Sequence, residues 1–214
     1  MPISNTDQLG IYNGALRRLG SRKIAALTEN REPRRVLDDI WANGGAVKYA
    51  LERGEWNFAL RAVRGAYDPG VTTEFGFRYA FAKPDDFRRL AALSANEYFR
   101  PALTNDEYVD EAGYWLANHE TIYIRYVSSG DAYGFDSSRW TEAFSEYLSA
   151  YLAHEACERI TNSDQKKQLL EREMMKCLAN AKAVDGMQEG VKFMPSGSWS
   201  RSRGDTYRNS RWRP

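Results

Sequence analysis

Residues 55–69 read EWNFALRAVRGAYDP, and residues 75–90 read FGFRYAFAKPDDFRRL. Together they hold Trp56, Phe58, Tyr67, Phe75, Phe77, Tyr79, Phe81 and Phe87. A bulky aromatic side chain buries a large apolar area, so a core is expected to condense here. Trp56-Asn57-Phe58-Ala59 with Arg61, Ala62 and Arg64 reads as helix for two more turns, ended by Asp68-Pro69-Gly70. Phe75, Phe77, Tyr79 and Phe81 then alternate with Gly76, Arg78 and Ala80, the period of a half-buried strand. Lys83-Pro84-Asp85-Asp86 stops that strand, and Phe87 and Leu90 begin a short amphipathic segment. The stretch therefore marks the handover from a helical first third to a strand-rich middle.

Upstream, Leu9, Tyr12, Leu16 and Leu19 recur at steps of three and four, one face of a helix over 5–19. Ser4 and Asp7 supply a start signal, and Gly20 a left-handed stop. Ile24 and Leu27 are expected to plug the following loop onto the core. Thr28 or Asn30 can cap a second helix over 33–53, with Pro33 in its first turn. The pair Gly44-Gly45 inside it implies a kink or a close helix–helix contact, packing being the favoured reason.

Downstream, 97–100, 107–109, 114–117 and 121–127 are strand candidates, with turns at Ala112-Gly113 and Asn118-His119-Glu120. Strands so close in sequence must pair antiparallel, because a parallel crossover needs a dozen or more residues. Trp140, Phe144, Tyr147, Leu148, Tyr151, Leu152, Ala156 and Ile160 set a helix over 140–160. After a break at Asn162-Ser163-Asp164, Leu169, Leu170, Met174, Cys177, Leu178, Ala181 and Val184 set its partner over 164–185. A connection this short implies an antiparallel helical hairpin. The expected fold is α+β and mainly α. An antiparallel helical bundle carries a small antiparallel β-sheet inserted at about 70–127, followed by an extended C-terminal tail. Residues 1–194 form one domain, and 195–214 a flexible tail.

Chemistry is sparse. The two histidines, His119 and His154, and the two cysteines, Cys157 and Cys177, fit no zinc spacing and no disulfide framework. Reduced thiols in a cytoplasmic product are expected. His154 and Cys157 share a helix face but have no third ligand nearby, and Glu155 and Glu158 work against a lowered thiol pKa. The pairs Asp38-Asp39, Asp85-Asp86 and Asp110-Glu111 are adjacent residues that diverge, so they read as solvated faces and caps rather than acid/base couples. No phosphate-cradling loop or dinucleotide fingerprint is present. No secretory segment is read at the N-terminus and no apolar run is long enough to span a bilayer, so a soluble chain is expected, with no membrane partner.

Charge is uneven. The chain totals +1, but residues 195–214 carry five arginines against one aspartate, a net +4, which leaves −3 for residues 1–194. In that tail Trp199, Tyr207 and Trp212 are interleaved with Arg201, Arg203, Arg208, Arg211 and Arg213. Such a composition suits docking on a protein, since Trp, Tyr and Arg dominate interface hot spots. It also suits phosphate contact and base stacking, as in a nucleic-acid-binding module working through the tail.

Leu9, Ile11-Tyr12-Asn13, Ala15-Leu16, Leu19-Gly20, Ile24 and Leu27 form one group of residues that resembles a known pattern. Trp56-Asn57-Phe58-Ala59 with Arg61, Tyr79 and Pro84-Asp85-Asp86-Phe87-Arg88 form a second, and Phe144, Leu148, Leu152, Ala153, Thr161-Asn162, Ala181 and Asp185 a third. In order and spacing these resemble the tail tubular protein A family, the head-to-tail adaptors (connectors) of short-tailed bacteriophages. Lys83 departs from the apolar residue expected before the proline. The resemblance covers most of 9–185 and leaves the tail outside. It implies a structural viral protein of the virion neck, assembled in the host cytoplasm, with no enzymatic activity and no cofactor. The implied partners are eleven further copies in a homo-oligomer ring (a dodecamer), the portal protein, and the nozzle's tubular protein. Double-stranded DNA would pass through the channel without sequence-specific binding, and an acidic lumen would help it slide. Trp199, Arg201, Arg203, Tyr207, Arg208, Arg211 and Trp212 are the residues expected to carry portal binding during virion assembly.

Overall fold

The computed structural model describes residues 3–73, 76–99, 102–103 and 107–188, the side chain of Asn43 excepted. Helix α1, Asn5–Leu19, begins where the Ser4 hydroxyl accepts from the Thr6 N–H, and it ends at Gly20 with φ +73°. Its apolar stripe, Ile11, Tyr12, Ala15, Leu16 and Leu19, is buried. Asn13 then clamps the following loop, donating to the Ile24 carbonyl at 3.1 Å and accepting from its N–H at 2.9 Å. Ile24 is thereby held in the core.

The second helical segment is two helices, α2 at Glu32–Trp41 and α3 at Gly45–Glu52, joined by a 3₁₀ turn at Ala42–Gly44. Gly44 has φ +69°, and a Cβ there would lie 2.8 Å from the Phe135 ring. The glycine pair thus serves both a break and a close approach. Neither expected cap is used for α2: its N-cap is Arg31, with no side-chain hydrogen bond, and Asn30 accepts from Arg35 instead.

Helices α4, Glu142–Thr161, and α5, Asp164–Gln188, form the expected hairpin, with Asn162 at φ 48° closing α4. Helix α4 is central: α1, α2, α3 and α5 all pack on it. Arg18 of α1 is nearly buried and donates to Glu146 of α4 and, at 2.9 Å, to Glu173 of α5. Lys166 of α5 donates to the Leu19 carbonyl, one of the acceptors left open at the end of α1.

Residues expected to prolong a helix after Gly54 instead make a 3₁₀ turn, Asn57–Ala59, and then strand β1, Leu60–Ala66. Pairing with β6, Thr121–Ser128, along its whole length overrides local helix preference. Gly65 suits that pairing, because a Cβ there would sit 2.9 Å from Ile124 and 3.1 Å from Ile122. The segment starting at Phe87 is likewise a strand, β3, Phe87–Ser94, on the other edge of β6. The predicted aromatic strand shrinks to β2, Tyr79–Ala82, while Phe75 lies outside the described residues. Residues 97–99 are a turn rather than a strand; Arg100 is also outside.

Strands β4, Tyr108–Glu111, and β5, Tyr114–Ala117, complete two antiparallel three-stranded sheets, ordered β1-β6-β3 and β2-β5-β4. The sheet region therefore opens ten residues earlier than expected, at Leu60, and is two sheets where one was expected. Phe81, Trp115 and Ala117 of the second sheet share a buried cluster with Ile122, Ile124, Tyr126 and Leu93 of the first. A separate helical cluster runs from Ile11 to Ala181 and takes in Val127 and, partly buried, Leu60. The architecture is α+β. Among the described residues no helix is long and apolar enough to cross a membrane.

Candidate functional site

The opening stretch becomes a junction in three dimensions. Trp56 is 1% exposed and lies edge-on to Phe144 of α4 at 4.9 Å, with Phe58 stacked on it at 6.1 Å. Its indole N–H donates at 3.0 Å to the Ala50 carbonyl near the end of α3. Next to it, the Asn57 N–H donates to both carboxylate oxygens of Asp185, at 3.1 and 3.0 Å, and the Asn57 amide donates to the Asp185 carbonyl at 2.8 Å. Asp185 is 4% exposed. A buried carboxylate needs such donors, since leaving it unpaired is costly. This clamp, with Asn57 donating every bond, fastens the last turns of α5 to the start of the sheets.

A second polar knot centres on Asp86. Its carboxylate accepts from Arg61 of β1 and Tyr126 of β6, both at 2.9 Å, and from the Ser128 hydroxyl. Its carbonyl accepts from the Ser129 N–H at 2.8 Å. Burial opposes ionisation of Asp86, but the bonds from Ser128, Tyr126 and Arg61 outweigh it and hold the carboxyl below its usual range. Burial, with Asp86 alongside, pushes the Tyr126 phenol above its usual range. Ser128 is fully buried and also accepts from the Gly130 N–H at 3.0 Å. The hydroxyl is therefore committed to holding the loop after β6, and the cluster acts as a fastener rather than as a nucleophile with its base. The sequence reads Asp85-Asp86 as solvated faces and caps, and only the Pro84-Asp85-Asp86 pattern singles the pair out; the structure instead makes Asp86 the centre of a half-buried knot.

The other candidates are accounted for locally. His154 pairs with the adjacent Glu155 at 3.0 Å, and the buried Cys157 thiol sits 3.2 Å from the Thr161 hydroxyl. Burial raises the Cys177 thiol pKa against the opposing pull of Arg18. Among the described residues no group of three or more His, Cys, Asp or Glu side chains is placed to hold a metal. A groove of about 740 Å³ runs along the surface where α1 meets the start of α4. Part of its polar lining is paired internally: Asp7 accepts from Ser137, and Glu146 pairs with Arg17 and Arg18. Trp199, Arg201, Arg203, Tyr207, Arg208, Arg211 and Trp212 lie outside the described residues.

The chain matches no protein-family model and no curated protein sequence.

Proposed function

We propose that this chain is a head-to-tail adaptor of a short-tailed bacteriophage, a structural protein of the virion neck. Copies of it close a ring, twelve subunits in the family it resembles, through a heterologous contact that returns on itself by rotation. The ring docks on the portal, extends the DNA channel and gives the nozzle its platform. The helical part of the fold is read as the bundle of such adaptors, and the Arg/Trp tail as the portal-docking element.

One observation carries the reading: the separate sequence segments that bear the resemblance meet as fastening points of one body. The Asn13 clamp closes the first segment, and the Asp86 knot ties the second to the sheet. The Asn57–Asp185 clamp joins the second segment to the third. Those residues have no catalytic arrangement in common; what they share is holding helices and sheets in a fixed relation, which a ring subunit requires.

The test is mass measurement of the full chain alone and mixed with the portal protein of the phage that encodes it. A complex holding a closed ring of this chain on the portal is expected. Removing residues 195–214 should leave a folded protein that no longer binds. A full chain that ignores portal overturns the adaptor reading, whereas unchanged binding by the truncated chain overturns only the role given to the tail.

A further inference from the structure

The first sheet turns one face to the second sheet, while its other face packs on the helices at the Leu60–Val127 end and opens to solvent towards Ala62, Arg64 and Ala66. Val63, Ile124 and Leu93 occupy one row across β1-β6-β3 on the inner face. On the opposite face, Ala62 stands opposite Arg125, and Arg64 opposite Tyr123. Ala62, Arg64, Ala66 and Arg125 are exposed there. Arg89 of β3, also exposed, is opposite Val127, two residues along β6 from Arg125 on the same face. Beyond Arg89 the surface drops into a groove of about 360 Å³ lined by Arg53 and Lys182 together with Glu55 and Asp185.

The cationic side chains make one basic stripe, from Arg53 and Lys182 through Arg89 and Arg125 to Arg64. The strand rise of about 3.3 Å per residue makes the sheet portion alone roughly 13 Å long. Arg125 lies over the Phe99 ring at 4.6 Å, and Phe99 is held at φ 54° in the turn beside β3. Among the described residues neither Arg64 nor Arg125 has an ion-pair partner; Arg89 has Glu55 at 3.8 Å. The arginines stand opposite Ala62, Ala92, Tyr123 and Val127 rather than one another, and they lie on a body whose net charge over residues 1–194 is −3. Local contacts account for Arg53, Arg89 and Arg125 in part, through Tyr49, Glu55 with the Glu52 carbonyl, and the Phe99 ring, but not for Arg64 or for the alignment of all four. A linear polyanion does, because each phosphate neutralised by an arginine releases condensed counterions.

We propose that this stripe binds the phosphate backbone of duplex DNA, without reading its bases. The face offers a row of exposed cations on strands, so contact is to the backbone. The inference requires neither a ring nor a portal, and it concerns a surface distinct from the C-terminal tail.

The experiment measures binding of the full-length protein to a short labelled DNA duplex across a salt series. The parent should bind at low salt. Arg64→Ala/Arg125→Ala removes two backbone contacts, so the slope of log K against log salt should become shallower by about 1.8. Affinity at the lowest salt should fall at least about tenfold. Arg64→Lys/Arg125→Lys keeps the charges and should restore the slope, and a thermal melt equal to the parent's verifies folding. Arg172→Ala/Lys176→Ala on the exposed side of α5 should leave the slope unchanged. Arginines of the tail contribute equally to every variant and cancel in the comparison. An unchanged slope in Arg64→Ala/Arg125→Ala overturns the proposal. So does a parent with no affinity for DNA at low salt, which would leave the stripe to an acidic protein surface.

Discussion

Replacing Trp56 by alanine removes the side chain on which the helices and the sheets both lean. An indole buries on the order of 200 Å², and at about 25 cal/mol per Å² that is roughly 5 kcal/mol of transfer free energy. Alanine retains part of it, while the cavity adds a further cost; large aromatic truncations in cores come out at about 3–5 kcal/mol. Two local features put Trp56 at the upper end. Its ring packs against both Phe144 and Phe58, which also touch each other, and its N–H shares the Ala50 carbonyl with the Arg53 N–H, a bond the variant loses. Trp56→Phe separates these contributions: most of the packing survives, and the lost hydrogen bond should cost about 1–2 kcal/mol. Urea denaturation followed by far-UV circular dichroism reads both, with the midpoint falling and the slope nearly constant. A loss under about 1 kcal/mol for Trp56→Ala would refute the placement of this ring under α4.

Asp86→Asn should destabilise by about 2–3 kcal/mol, because it weakens the bonds from Arg61, Tyr126 and Ser128 together. The folded Asp86 carboxyl titrates below its unfolded value, so its contribution is full above the unfolded pKa and disappears as pH falls through the folded one. Denaturation at neutral and strongly acid pH should therefore show the parent and Asp86→Asn converging in acid; a constant difference would contradict the knot. Gly44→Ala should cost about 1–2 kcal/mol or more, since it combines positive φ with contact against Phe135. Unchanged thermal stability would mean the α2–α3 break is not held as described.

Periodicity located α1 and the α4–α5 hairpin because their burial patterns are local. Ser4, Gly20 and Asn162 behave as their side chains and backbone preferences dictate. Strands β5 and β6 were also legible, alternation being strong in residues 114–117 and 121–127. The failures share one cause. Residues 60–66 have no marked helical or strand period, and only the partner β6, some sixty positions away, decides their conformation. Phe87–Ser94 reads Phe-Arg-Arg-Leu-Ala-Ala-Leu-Ser, a helix-friendly composition, and its register shifts between Phe87 and Arg89 and between Leu90 and Ala92 blur the alternation. Gly44-Gly45 flagged a break without revealing that an aromatic from beyond β6 fills it. Of the fastening points, the Asn57–Asp185 clamp was invisible to local pattern because its halves are 128 positions apart. The basic stripe was equally hidden, for Arg53, Arg64, Arg89, Arg125 and Lys182 align only once the strands are in register.

The β1/β6 pair belongs to both hydrophobic clusters. Leu60 and Val127 end in the helical one, while Val63, Ile122 and Ile124 lie in the other. A rigid ribbon therefore passes through both interiors without an intervening linker. Mechanically the molecule resembles a beam set into two blocks: a push on the β2-β5-β4 side loads that ribbon and is passed to the helices through α3, which packs on β3 and β6, rather than being taken up at a hinge. Subunits of this kind, set side by side, would share a load around a closed assembly instead of absorbing it one by one.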